Sequence, residues 1–486
     1  MTRTANKPSS LVKLKIRRRL DDIETPVSAM LKLDPNNAGT FLFESVLGGE
    51  QRGRYSFIGT RPNLWWKVED GVALTSDTNT FENVLHRSTD PMQDVRRFIN
   101  LCEVDIDESE DLPPMIAGAF GYLGYDMIRY VETLPTAPED SLQVPEAVLM
   151  RPAVILIFDS VKQEIILATP ITEDEKTADA LLDEIETLLD APLGVHRPVD
   201  REIEPIEFSS NTTPSRYSEI VKKAQDYIRA GDIFQVVPSQ RFSTDFDVSP
   251  FALYRALRRL NPSPFLFFVN LGDFQVIGSS PEILVRLRND TVSIRPIAGT
   301  LPRGKTPEED ISNEKTLLAD PKELAEHLML LDLGRNDVGR VAQYGSVEVT
   351  EQFIIERYSH VMHIVSNVEG KLRDGEDAVS ALMAGFPAGT VSGAPKIRAM
   401  EIINELESNK RGVYGGGIGY FGSDGNMDMC IALRTAVIKD KKLHVQAGGG
   451  VVLDSDPDKE FQETVHKASA LFRAAEDAAR YEGGNK

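Results

Sequence analysis

Cysteine is nearly absent. Cys102 and Cys430 are the two in 486 residues, far apart and without metal-ligand spacing, which argues against a disulfide framework and a cysteine-built zinc site. A reducing compartment, the cytoplasm, is the expected setting. Long hydrophobic runs are missing too: the longest, such as 153–158, have strand length and fall far short of the roughly 20 residues that span a bilayer. Positive charge is in deficit, with 54 Lys and Arg against 75 Asp and Glu and a net charge of -21. That balance disfavours nucleic acid and anionic membranes as partners, so an anionic ligand would have to be met by local basic groups. The basic cluster Lys13, Lys15, Arg17, Arg18 and Arg19 has no apolar core behind it, as a signal peptide requires, and reads as a solvated edge. What remains is an ordinary globular composition, 41% hydrophobic and 27% charged, long enough for two or three domains.

The most informative stretch runs from Asp320 to Asp337. Asp320 is an N-cap, Pro321 suits the first helical position, and Leu324, Leu328 and Leu331 repeat at helical spacing. Glu323 and Glu326 then share one face. The same grammar returns at 456–467, where Glu460 and Glu463 follow Asp456-Pro457 and Lys467 lies one turn on. Four carboxylates around one cleft would repel one another unless a hard cation such as Mg²⁺ sat between them. Acidic first turns also suit the helix dipole and the capping box, so both readings stand on the residues alone.

Short strands dominate the first part of the chain: 40–47, 55–59, 64–68, 116–122 and 151–159, punctuated by turns at Gly48-Gly49, Asp70-Gly71 and Pro113-Pro114. A helix over 173–189 precedes a Pro- and charge-rich linker at 190–210. Beyond it, helices are predicted from Thr213 to Gly231, over 250–260, from Asp320, over 380–384 and over 395–406, with a last one from Asp456. Strands are predicted at 233–239, 265–270, 274–279, 283–287, 347–368, 416–421, 429–437 and 443–450. Grouped rather than alternating elements favour an α+β fold.

Glycine clusters crowd the second half at Ala298-Gly299-Thr300, 385–393, 415–417 and 448–450; such backbone can approach an anion closely, or simply turn tightly. His360 and His363 lie in a strand-like run, where they would face opposite ways, so a shared metal is not expected. Either is a general acid or base, or a packed core histidine.

Taken together, Asp320 to Asp337, Pro296-Ile297-Ala298-Gly299-Thr300, the run Pro387-Ala388-Gly389-Thr390-Val391-Ser392-Gly393-Ala394-Pro395-Lys396 and Gly448 to Lys467 resemble the chorismate-utilising enzymes, most closely the large aminase (component I) subunits of anthranilate synthases. Leu42-Phe43-Glu44-Ser45 and Gly118-Ala119-Phe120-Gly121-Tyr122 extend the likeness into the first half. The resemblance implies packed antiparallel sheets flanked by helices with intertwined halves, although the linker alone suggests separable domains. Residues 1–200 would form a regulatory, tryptophan-binding region and 211–480 the chorismate-binding catalytic domain.

The resemblance also implies roles. Glu323, Glu326, Glu460 and Glu463 would hold Mg²⁺. Gly299, Thr300, Tyr414, Arg434, Gly448, Gly449, Gly450 and Lys467 would bind chorismate, with His363 as general acid for the C4 hydroxyl and Thr390 beside it. The reaction would be amination of chorismate and loss of pyruvate to give anthranilate, the first step of tryptophan biosynthesis. Related aminodeoxychorismate synthases carry a lysine nucleophile where this chain has Ala298, and isochorismate and salicylate synthases a water-activating lysine where it has Gln235. The chain ends soon after its last helix without room for a glutaminase, so a separate glutamine amidotransferase subunit is the expected ammonia source. Tryptophan inhibition would act through Glu44, Ser45, Asn261, Pro262, Ser263 and Pro264. The following Phe265-Leu266 stands where some relatives have Tyr-Met. A sensor that binds tryptophan without turnover is the reading from another class.

Overall fold

The structure, a computed structural model, describes residues 11–47, 51–106, 111–194, 198, 205–358 and 361–482. His360, the Gly48-Gly49 turn and most of the linker at 195–204 lie outside the described residues. The fold is α+β. Twenty-two strands join through their ladders into one network, antiparallel except where Val12 and Lys13 run alongside Val104 and Asp105.

Strands of the two halves alternate in this network. Phe41–Glu44 pairs with Phe265–Asn270, and Gly118–Leu123 pairs with Gly417–Gly422. A shared aromatic core follows: Phe41 and Phe120 stack at 5.0 Å, Phe120 and Tyr420 at 5.7 Å, and Phe43 lies 6.4 Å from Phe267. Aromatic pairs of this kind add about 0.5–1.5 kcal/mol each beyond their buried area. Separating the halves would break ladder and core at once.

Several elements depart from the reading of the sequence, each for a local reason. The two strands expected around residue 60 are one, Tyr55–Glu69, because Pro62 faces Pro152 across the ladder and both missing N–H donors fall on one rung. The run at 347–368 folds back on itself as Glu348–Arg357 and Val361–Lys371. The run at 429–437 is divided by Arg434, whose φ of +49° ends one strand and turns its side chain. Three helices escaped notice: Pro26–Lys32, Pro91–Leu101 and Pro307–Ala319. The basic cluster is not an idle edge, for Arg17 reaches Asp179, Asp183 and Glu186 on the helix Glu175–Asp190 from the strand Val12–Leu20.

The helix Pro321–Val341 forms as expected, with Asp320 Oδ1 accepting the N–H groups of Lys322 and Glu323. Its buried stripe is not the expected one. His327, Leu330, Leu331, Gly334 and Val338 face the sheet, whereas Leu328 is 53% exposed. His327 takes the inward place because Ser366 Oγ meets its Nε2 at 2.7 Å and Phe353 packs on its ring. Among the described residues no helix is long and apolar enough to cross a membrane.

Candidate functional site

Four carboxylates expected to act together are carried by two helix starts, Pro321–Val341 and Pro457–Ala478, both capped by an aspartate. Gln235 Nε2 donates to Glu326 Oε1 at 2.9 Å, and Lys467 Nζ bonds Glu463 Oε1 at 2.7 Å and the carbonyl of Gly448 at 3.0 Å. Burial raises the pKa of Glu323, reinforced by Glu326 and by Glu463 of the other helix. Burial likewise raises Glu460, against a bond from Ser455 and with Glu463 again adding repulsion. Glu460 Oε2 is buried with no hydrogen-bond partner. Among the described residues no three His, Cys, Asp or Glu side chains close around a metal position. An all-oxygen donor set with an orphaned carboxylate oxygen fits a hard ion that keeps most of its waters, which is the habit of Mg²⁺.

The glycines act mainly by what they leave out. At Gly448 a Cβ would meet Tyr414 Oη at 2.8 Å, at Gly449 Glu460 Oε2 at 3.1 Å, and at Gly450 Gln235 Nε2 at 2.6 Å. The triplet therefore lets Tyr414, Glu460 and Gln235 converge on one stretch of backbone. The Gly449 N–H is already given to Pro238 O, so it is not a free anion donor. Gly299 differs: at φ +69° it forms a bulge in the pairing of Ile297–Pro302 with Val361–Lys371. That bulge aims its carbonyl at His363 Nδ1, 3.0 Å away, with Thr300 Oγ1 at the same distance. It also leaves Glu323 Oε2 only 3.1 Å from where a Cβ would stand.

Burial holds His363 neutral, with a pKa pushed down to about 4. The Gly299 carbonyl can only accept, so Nδ1 carries the proton and Nε2 is left as an acceptor. The general-acid role the resemblance implied would require the imidazole to be protonated on Nε2.

Glu282 is a second titratable group at the site, one that the sequence did not single out. Glu282 is buried directly before the strand Ile283–Arg288, and burial pushes its pKa up to about 8 despite a 3.0 Å bond from Thr390 Oγ1 and the charges of Lys467 and Arg434. Its carboxyl is thus largely protonated at neutral pH. A lone Glu before Ile283-Leu284-Val285, all buried, was the available signal. Arg434 makes no ion pair among the described residues, which leaves its fork free for a carboxylate. A small cleft of about 30 Å³ borders Glu282, Thr390, Pro296 and Gly334.

The second predicted set also comes together. Leu266 pairs with Glu44, the N–H of Val46, next to Ser45, donates to Ser263 O at 3.1 Å, and Asn261 Nδ2 reaches Ser279 Oγ at 3.3 Å. Pro262 and Pro264 flank Ser263 in the same loop and are half-buried. Unforeseen were Tyr254 and Arg258 of the helix Pro250–Leu260, which close over Glu44: the Tyr254 hydroxyl donates at 2.5 Å and Arg258 forks onto both carboxylate oxygens at 2.5 and 2.8 Å.

Comparison with known proteins agrees with this geometry. The profile of the chorismate binding enzymes matches residues 55–473. Anthranilate synthase component 1 of Cereibacter sphaeroides is 57% identical over 470 residues, 95% of this chain and 94% of its own. The Pseudomonas aeruginosa protein of the same name is 49% identical, covering 94% of each chain. Among solved structures, anthranilate synthase component I from Streptococcus pneumoniae superposes with a TM-score of 0.78 at 38% identity, covering 86% of this chain and 92% of its own. The menaquinone-specific isochorismate synthase of Escherichia coli shares the fold with a TM-score of 0.71 at 19% identity, over 96% and 95% of the two chains. A site of clustered carboxylates, an unpaired arginine and a buried acid, on this fold and with these relatives, places the chain in the chorismate-binding enzyme family.

Proposed function

We propose that this chain is an anthranilate synthase large subunit: it aminates chorismate and eliminates pyruvate, giving anthranilate. The observation that carries this over hydration of the same ring is Gln235, a neutral amide tied to Glu326 where a water-activating base would be needed. Ala298 likewise offers no amine for a covalent intermediate. Ammonia is its own nucleophile and needs neither.

The reaction moves four protons: the C4 hydroxyl and the departing enolpyruvate each take one up, and the newly bound ammonium and C2 each give one up; two residues of the site are suited to two of these transfers. Departure of the C4 hydroxyl requires a donor, and Glu282, with its pKa near 8 and Thr390 Oγ1 fixing one oxygen, supplies it. Aromatisation with loss of pyruvate releases the proton at C2, and Nε2 of His363, left unprotonated by the bond of Nδ1 to Gly299, is the acceptor offered to it. Arg434 and Lys467 bind the substrate carboxylates, while the close-packed 448–450 backbone and Tyr414 shape the wall. Glu323, Glu326, Glu460 and Glu463 would hold Mg²⁺, which would screen the charge of a substrate carboxylate and orient it. Free ammonia is scarce at neutral pH, so a glutamine-hydrolysing partner subunit supplies it, in the cytoplasm. Tryptophan inhibits through Glu44 and Ser45 of the regulatory region 1–200 together with the loop 261–264, which the catalytic domain 211–480 contributes.

Purified protein with chorismate, Mg²⁺ and ammonium near pH 8 tests the reading through anthranilate fluorescence. The expected signal disappears on chelation or in Glu326→Ala. A non-fluorescent amino product would replace this reading with aminodeoxychorismate synthesis, and unconsumed chorismate with intact tryptophan binding would leave a sensor.

A further inference from the structure

Arg411 is 2% exposed, and its guanidinium spends its donors on three chain segments. Nε and Nη2 bond Glu407 at 3.0 and 2.6 Å, Nη1 bonds the Val391 carbonyl at 2.6 Å, and Nη2 also bonds the Val237 carbonyl at 2.7 Å. The planar group lies 4.7 Å from the ring centre of Tyr125 and 5.5 Å from that of Tyr414. Glu407 Oε1 in turn accepts from the N–H and hydroxyl of Ser239, at 2.7 and 2.9 Å.

These partners border the proposed site at every point. Val391 follows Thr390 in the short turn Gly389–Val391. Ser239 is the ladder partner of Gly448, and Pro238, next to Val237, accepts the Gly449 N–H. Tyr414 places its hydroxyl against Gly448.

A buried ion pair is a costly way to fill space. Replacing such pairs by apolar residues of like volume is often neutral or stabilising, so stability alone gives no reason for one here. Directionality does: a guanidinium fixes several carbonyls and rings at set angles, which neither an apolar side chain nor an ammonium does. Resting on the reading of the site given above, we propose that Arg411, locked by Glu407, is a positioning residue that sets Thr390 and Tyr414 against the bound substrate.

Arg411→Lys keeps the charge and removes the fork. The expected result is a folded protein whose kcat falls on the order of a hundredfold, the cost of misplacing reacting groups by about 1 Å, with KM for chorismate changed by less than about threefold. Thr390 donates to Glu282 and so favours its charged form; losing that bond raises the Glu282 pKa and moves the alkaline limb of the kcat–pH profile upward. Thr390→Ala should move the limb the same way, and the double variant should lose little more than the worse single one. A kcat within threefold of wild type, an unmoved limb or fully additive losses would overturn the proposal. If Arg411→Lys does not fold, Glu407→Gln carries the same measurements. A wild type without any anthranilate activity would sink the functional reading alone. The placement would then be read from the structure of Arg411→Lys, where an unchanged 3.0 Å contact between Thr390 and Glu282 counts against it and a lengthened one for it.

Discussion

Glu44 and Glu282 are both buried glutamates at the ends of strands, yet their surroundings assign them opposite work. Around Glu44, Arg258 and Tyr254 supply three donors, and although burial pulls the Arg258 pKa down, the bond and charge of Glu44 together with Tyr254 leave it above the ordinary value. Around Glu282 one hydroxyl is in contact and the cations stand off, so burial wins and the acid keeps its proton. The first arrangement holds charge in place and fixes a helix to a strand. The second stores a proton beside a cleft. Depth of burial does not separate them, since Glu44 is 7% and Glu282 8% exposed; the number of donors within reach does.

The sharpest way to break the contrast is Glu282→Gln. Removing the proton donor should lower kcat by roughly a thousandfold, within the usual range for general acid catalysis, and abolish the alkaline fall in rate centred near pH 8. Stability carries an independent signature. The folded pKa near 8 exceeds the ordinary 4.5, so the folded chain binds the extra proton. Stability is therefore full below about pH 4.5 and declines as pH rises to about 8. Glu282→Gln should lack that decline, and thermal melts of both proteins at pH 5 and pH 8 will read it. Equal slopes would mean that Glu282 is ionised in the fold and the contrast with Glu44 is empty.

Arg258→Met attacks the other side. It leaves the Glu44 carboxylate buried beside one hydroxyl, at a cost of about 3 kcal/mol as for other broken buried pairs. Urea unfolding should show the loss, while kcat with saturating chorismate stays within about threefold of wild type, since Arg258 lies outside the catalytic cleft. A large fall in kcat with little loss of stability would reverse the assignment of the two regions.

The reading of the sequence reached the outline of both regions and missed what decides between them. Capped helix starts gave the placement of Glu323, Glu326, Glu460 and Glu463, because local rules suffice for a cap and a face. The grouping of Glu44 and Ser45 with the loop 261–264 came from resemblance, not from any local pattern, and the ladder that joins Glu44 to Leu266 was not foreseen. Glu282 was invisible as an acid because burial, a tertiary outcome, raises its pKa against the pull of Thr390, Lys467 and Arg434, which lie 108 residues and more away in sequence. His327 was passed over and Leu328 taken as core, because hydropathy outranked a hydroxyl partner, Ser366, on a different element. Arg434 was placed inside a strand, since its positive φ is a tertiary choice that a non-glycine residue does not advertise.

A smaller effect tests whether the two regions communicate. Ser279, fully buried on the strand between them, donates its hydroxyl to the carbonyl of Asn261 at 2.5 Å, and its N–H donates to the carbonyl of Arg434 at 3.2 Å. One residue thus touches the loop expected to meet tryptophan and the arginine expected to meet substrate. Ser279→Ala keeps the N–H bond and loses both hydroxyl bonds to Asn261, the one donated to its carbonyl and the one accepted from its Nδ2, freeing the loop without disturbing Arg434. Coupling along such contacts is typically worth about 0.5–2 kcal/mol. The expected outcome is therefore tryptophan inhibition weakened by about two- to thirtyfold, with kcat and chorismate KM in the absence of tryptophan near wild type. Inhibition unchanged by Ser279→Ala would show that any signal from the Glu44 region bypasses this strand. A fall in uninhibited kcat alone would place Ser279 with Glu282, among the groups that arrange the cleft.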